Sequence, residues 1–238
     1  MRKILLFIFT LLMFIPINVY AETYTLKDLD LSIDDSEFEV FTRDNIKDNE
    51  RLTELGVTYS YLSSFMTSNN VYLDAIKFAD DDNDTIELFV VAKSVNNVSN
   101  MHTYSDSDIK EVGEELKEKV KTDSYKVITV GKYKYIYLNY YDSSKGYYID
   151  EYYTVMNGYG YSILAQKTSK FTDDEMKGIK SIINTSKYKY VAKYEKNNSN
   201  GIGLKTLIGA IIGAVVGLVG GITKVVKNKK QKQKEKSE

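Results

Sequence analysis

The 238-residue sequence contains no cysteine. Disulfides, thiolate metal sites, cysteine nucleophiles and thioether lipidation of an exported N-terminus are thereby excluded, and stability must come from a packed core. Tryptophan is also missing, Pro16 is the one proline and His102 the one histidine. A single imidazole rules out multi-histidine metal sites, and its setting in the polar stretch "NVSNMHTYSDS" reads as incidental. There is no G-x-S-x-G elbow and no phosphate-cradling glycine loop. Ser107 and Lys110 fit S-x-x-K spacing, but the companion S-D-N and K-T-G elements are absent, so helix-start polarity accounts for the pair. No catalytic residue, metal site or cofactor is assigned.

Excess charge of one sign is missing too, but only in total. The net charge of −1 hides a segregation: residues 22–203 hold 22 Lys and Arg against 31 Asp and Glu, a net of −9, whereas residues 224–238 hold seven Lys and two Glu, a net of +5. An acidic body offers no basic field to release phosphate counterions, which argues against nucleic acid as a partner. Lys, Asn, Ile and Tyr are abundant, the composition of an AT-rich genome and, by that reading, of a low-GC Gram-positive bacterium.

Two apolar runs stand out. Arg2 and Lys3 precede "ILLFIFTLLMFI", Pro16 and a tail ending Val19-Tyr20-Ala21, the layout of a secretory signal cleaved after Ala21. An uncleaved anchor is the alternative, although the run is short for a hydrocarbon layer of about 30 Å. The second run, Thr206–Thr223, carries no charge between Lys205 and Lys224. As a helix its 18 residues would reach about 27 Å. Gly209, Gly213, Gly217 and Gly221 recur every fourth residue, and such a side-chain-free strip lets membrane helices approach closely. Self-association, simple tolerance of glycine in membrane helices and a membrane-disrupting role are the three readings of that strip. The lysines beyond it predict a cytoplasmic tail near anionic headgroups. The expected organisation is a signal peptide (1–21), an extracytoplasmic domain (22–195), a linker (196–203), a transmembrane helix (204–223) and a basic cytoplasmic tail (224–238), hence a single-pass protein of the cell membrane.

In the body, "LDLSI" and "FEVF" alternate as short strands. "NERLTELG" reads as a helix stopped by Gly56, followed by a second helix capped by Thr58. "VYLDAIKFA" and "TIELFVVAKSV" read as strands joined through Asp80–Asp84. That acidic run fails a calcium-loop template, with Thr85 where glycine and Val91 where glutamate belong, so a solvated hairpin loop is expected. "SDSDIKEVGEELKEKVK" is a helix capped by Ser105 with Ile109, Val112, Leu116 and Val120 as its buried stripe. Three strand-like runs follow, Asn157-Gly158 signals a type I′ hairpin, and Thr172 with Glu175 forms a capping box for a last helix. Short turns between strands, with helices inserted in blocks, predict an α+β domain, an antiparallel sheet covered by helices.

That order of elements, with "EFEVFTRDN", "YLDAI" and "YYTVMNGYGYSI", resembles the PsbP-like sandwich family and in particular its exported relatives in Gram-positive bacteria. The resemblance spans roughly residues 24–190. It implies a binding or assembly module and carries over no functional residue.

In "KYKYIYLNYY", Tyr133, Tyr135, Tyr137 and Tyr141 share one strand face. If helices covered the opposite face, this row would suit glycan or peptide recognition; otherwise tyrosine is there as a strand former packed under a helix. The function expected from sequence is thus a non-enzymatic, membrane-anchored surface protein. It would bind a protein or cell-wall ligand and self-associate as a homo-oligomer through its glycine strip. The alternative is a membrane-tethered hydrolase using a carboxylate pair.

Overall fold

The computed structural model describes residues 21–34, 36–95, 98–192 and 221–235. The expected signal peptide, the linker, Gly209, Gly213, Gly217 and most of the expected span lie outside the described residues.

Seven antiparallel strands form the main sheet, in the order β3 (Glu39–Thr42), β4 (Val71–Lys77), β5 (Ile86–Ser94), β9 (Tyr159–Lys167), β8 (Tyr147–Met156), β7 (Tyr133–Asp142) and β6 (Lys126–Val130). A smaller sheet pairs β1 (Glu22–Leu26) and β10 (Lys187–Tyr188) with the two edges of β2 (Leu29–Ile33). The α+β architecture expected from the strand and helix pattern is the one observed.

Both faces of the main sheet are covered, which is why β5, β8 and β9 are almost wholly buried. On one face lie the small sheet and helix α4 (Asp173–Asn184), which buries Ile179 and Ile183 against Tyr135, Ile163 and Leu88. On the other lie α1 (Glu50–Leu55), α2 (Tyr59–Ser68), α3 (Asp106–Val120) and α5 (Ile222–Lys234), packed over Phe89, Ile136, Leu164 and Tyr153.

The local signals act where physical chemistry places them. Thr58, Ser105 and Thr172 accept the backbone N–H groups that a helix start leaves unpaired, the last two in reciprocal capping boxes with Asp108 and Glu175. Thr172→Ala should therefore lower the stability of the domain by about 1 kcal/mol, read as a shift of the urea midpoint. At the β8–β9 hairpin Asn157 and Gly158 take φ of 54° and 74°, the left-handed pair that a type I′ turn demands.

Candidate functional site

Tyr135 is fully buried, its hydroxyl 3.3 Å from that of Tyr188. The Tyr133 hydroxyl accepts the Tyr188 N–H at 3.0 Å, with the two rings edge to face. Tyr137 is half-buried and donates to Asp150 at 2.6 Å beside Met176 of α4. Only Tyr141, half of whose surface is open, keeps the accessibility a recognition surface would need. Of the two alternatives the packed one holds for Tyr133, Tyr135 and Tyr137, which therefore offer no open binding row: this face lies under α4 and β10, and the helices on the other side cover the aliphatic face as well. Tyr135→Ser should cost about 3 kcal/mol in urea unfolding, whereas Tyr141→Ser should stay within about 0.5 kcal/mol of the parent.

The acidic loop Asp80–Asp84 closes the β4–β5 hairpin, as expected. Among the described residues no group of acidic and histidine side chains could hold a metal ion. His102 sits exposed in a 3-10 turn (Met101–Thr103).

What sequence did not single out is a cleft on the helical face, between α1, the acidic loop and β8, which is filled by the chain's own C-terminal end. The lysine-rich tail, expected to be a polar stretch lying against headgroups, forms helix α5 on the body. Ile222 is completely buried in the main core, and Val225 and Val226 pack against the same cluster. Gly221, expected to pack against another membrane helix, meets the body instead: a Cβ there would stand 2.3 Å from a Glu87 carboxylate oxygen and 2.6 Å from the Phe89 ring. No larger residue fits without displacing that floor. Among the described residues no helix is long and apolar enough to cross a membrane.

The floor of the cleft is polar. Asp74 on β4 and Glu87 on β5 point to the helical side, and both are buried. Helix α5 begins at Gly221, which has no side chain to cap it. The body supplies the cap. Glu87 accepts the Thr223 N–H at 3.1 Å and the Thr223 hydroxyl at 2.5 Å, while Gln166 on β9 donates to it at 2.8 Å. A carboxylate at a helix start satisfies orphan N–H groups and complements the positive end of the helix dipole. Asp74 makes no hydrogen bond of full geometry, though the Ile222 N–H is close enough to favour its charged form.

Burial raises the pKa of both carboxyls, that of Asp74 well above the usual range because Glu87 stands beside it. Glu87 is held back by its Thr223 and Gln166 bonds and by the Lys227 charge. Burial thus pushes both carboxyls toward the protonated form, Asp74 more strongly than Glu87, and Glu87 is the one that meets the helix start.

Lysines fix the rest of α5. Lys227 lies over the Tyr147 ring at 5.7 Å, and Lys230 pairs with Asp82 of the acidic loop at 2.6 Å. Lys229 runs past Gly56 toward the Glu54 carbonyl. The segregation of charge seen in the sequence is thus complementary within one molecule. Two sequence signals pointed here: the i, i+3, i+4 spacing of Ile222, Val225 and Val226, and an acidic residue inside each of two apolar strands.

A further buried carboxyl, Glu151 on β8, accepts the Ser162 hydroxyl at 2.5 Å and the Tyr140 hydroxyl at 3.4 Å. Burial pushes its pKa up to about 7.

No protein-family profile matches the chain, and no curated protein sequence matches it. Among solved structures the chain is similar to cyanobacterial PsbP (CyanoP) from Synechocystis sp. PCC 6803, with a TM-score of 0.35 and 10% identity over 72% of this chain and 94% of that one. It is also similar to a protein of Bacteroides thetaiotaomicron VPI-5482, with a TM-score of 0.37 and 12% identity, covering 68% of this chain and 45% of that one. The chain thus spans less than half the length of the Bacteroides protein.

Proposed function

We propose that this chain is an exported, membrane-anchored protein whose body is a non-enzymatic, PsbP-like binding or assembly domain. The occupied cleft supports that reading: Ile222 enters the core, the Glu87 carboxylate caps the helix start, and Lys230 pairs with Asp82 of the acidic rim. These are the elements of a helix-in-groove site, in which apolar anchors supply affinity and peripheral charges supply orientation. The ligand class is a lysine-rich amphipathic helix led by a small residue. Export rests on the signal-like N-terminus, and anchoring on the uncharged run ending at Thr223.

The binding half of the proposal is tested with the full chain carrying Gly221→Leu, which cannot seat its own tail. A fluorescent peptide of residues 221–235, added in detergent solution, is expected to bind saturably, and the same peptide with Ile222→Asp is not. Equal binding of the two peptides, or none of either, would refute it. The anchoring half is tested on intact cells, where added protease should digest the body.

The Asp74–Glu87 pair also favours one second reading, a membrane-tethered hydrolase plugged by its own tail. Release of fragments from purified cell wall by the Gly221→Leu chain, and not by the parent, would identify it.

A further inference from the structure

The residues that end the proposed membrane span are the same residues that fill the cleft. Gly221 lies against Glu87 and Phe89, Ile222 is in the core and Thr223 is bonded to Glu87. A span of 204–223 needs these three in or at the bilayer, and it sends Lys227 and Lys230 to the face opposite the body. Docking requires those same two lysines beside Tyr147 and Asp82. One segment cannot occupy both places.

We infer that the cleft and the bilayer are alternative sites for residues 221–235, so that the domain holds its own C-terminal end in one state and releases it across the membrane in the other. The inference rests on the anchoring proposed above. The two sites make different demands on residue 221. The cleft admits only glycine, because a Cβ collides with the floor, whereas a bilayer accepts any apolar side chain. The lysines likewise have a partner in each state, Asp82 when docked and anionic headgroups when released. The docked state buries Ile222 and caps α5, while the released state leaves Asp74 and Glu87 uncovered for another lysine-rich helix.

The absence of cysteine makes the test clean. Asp82→Cys and Lys230→Cys are introduced together in the full chain. A bis-maleimide reports docking as an internal crosslink, and a membrane-impermeant maleimide on intact cells reports the side on which residue 230 lies. The expected result is that crosslinkable molecules are labelled from outside, and that adding Gly221→Leu lowers the crosslink at least about tenfold, equivalent to about 1.4 kcal/mol. It should shift residue 230 to protection by a similar factor. Residue 230 protected and uncrosslinked in both chains would overturn the inference and leave the anchor standing. External labelling in both chains, with the crosslink lost on Gly221→Leu, would overturn the inference through failure of the anchor. A crosslink undiminished by Gly221→Leu would overturn the assignment of the cleft floor as the seat.

Discussion

Glu151→Gln is expected to make the domain more stable at pH 8, by about 2 kcal/mol, and less stable at pH 4, by about 1 kcal/mol. Glu151 is buried on β8 and its folded pKa, about 7, lies above the 4.5 of a free glutamate. Between those values the native state keeps a proton that the unfolded chain has released. Stability therefore falls as pH rises through this window and is flat outside it. The shift of about 2.5 pH units corresponds to about 3 kcal/mol. Glutamine removes the charge while its carbonyl still accepts from Ser162 and Tyr140. Its amide donors gain no evident acceptor, which costs about 1 kcal/mol. The raised pKa values of Asp74, Glu87 and Asp150 act in the same direction, so the variant should retain a residual slope. Urea titrations across pH 4 to 8 check this. Parallel curves for parent and variant would mean that Glu151 is ionised without penalty and that water reaches it.

Where a signal was local, the sequence was read correctly: the Thr58, Ser105 and Thr172 caps, the Gly56 stop and the Asn157-Gly158 turn each depend on neighbours within four residues. The acidic hairpin loop followed from the strands on either side of it. The tyrosine face stayed undecided in the sequence because period-2 alternation assigns residues to two faces without saying which face is covered, and here both are. The first strand pair was only half visible: β2 alternates cleanly, whereas β1 is mostly exposed and carries little pattern. The cleft escaped notice for a different reason. Its parts are Asp74, Glu87, Gln166 and Thr223, the last of them 136 residues from the Glu87 it bonds. Hydropathy groups Ile222 and Thr223 with the apolar run before them. Helical periodicity groups Ile222 with Val225 and Val226 after them. A uniformly apolar environment makes the first grouping decisive and a one-sided cleft makes the second, and composition cannot choose between two environments that both exclude water.

Ile222→Asp should detach helix α5 from the body without unfolding the main sheet. The isoleucine contributes about 2 kcal/mol by burial. An aspartate in its place would put a third carboxyl beside Asp74 and Glu87, in a site where burial already disfavours the charged form of both. What remains is the Thr223–Glu87 cap, which must now form beside the added charge, and the peripheral Lys230–Asp82 and Lys227–Tyr147 contacts, worth about 1 kcal/mol or less each. Amides of α5 should then exchange at least about a hundredfold faster, while β8 and β9 keep the protection of the parent. Thr223→Val separates packing from polar chemistry at the same seat. It keeps the shape and the backbone bond to Glu87 but removes the 2.5 Å hydroxyl bond. A hydrogen bond to a charged group is worth about 2 kcal/mol, so protection of α5 should fall by about 30-fold, short of the loss in Ile222→Asp. If Ile222→Asp left the exchange of α5 untouched, burial of Ile222 would not be what holds the helix. If Thr223→Val equalled it, the cap on Glu87 would be the dominant contact, and the apolar anchor would serve only to position it.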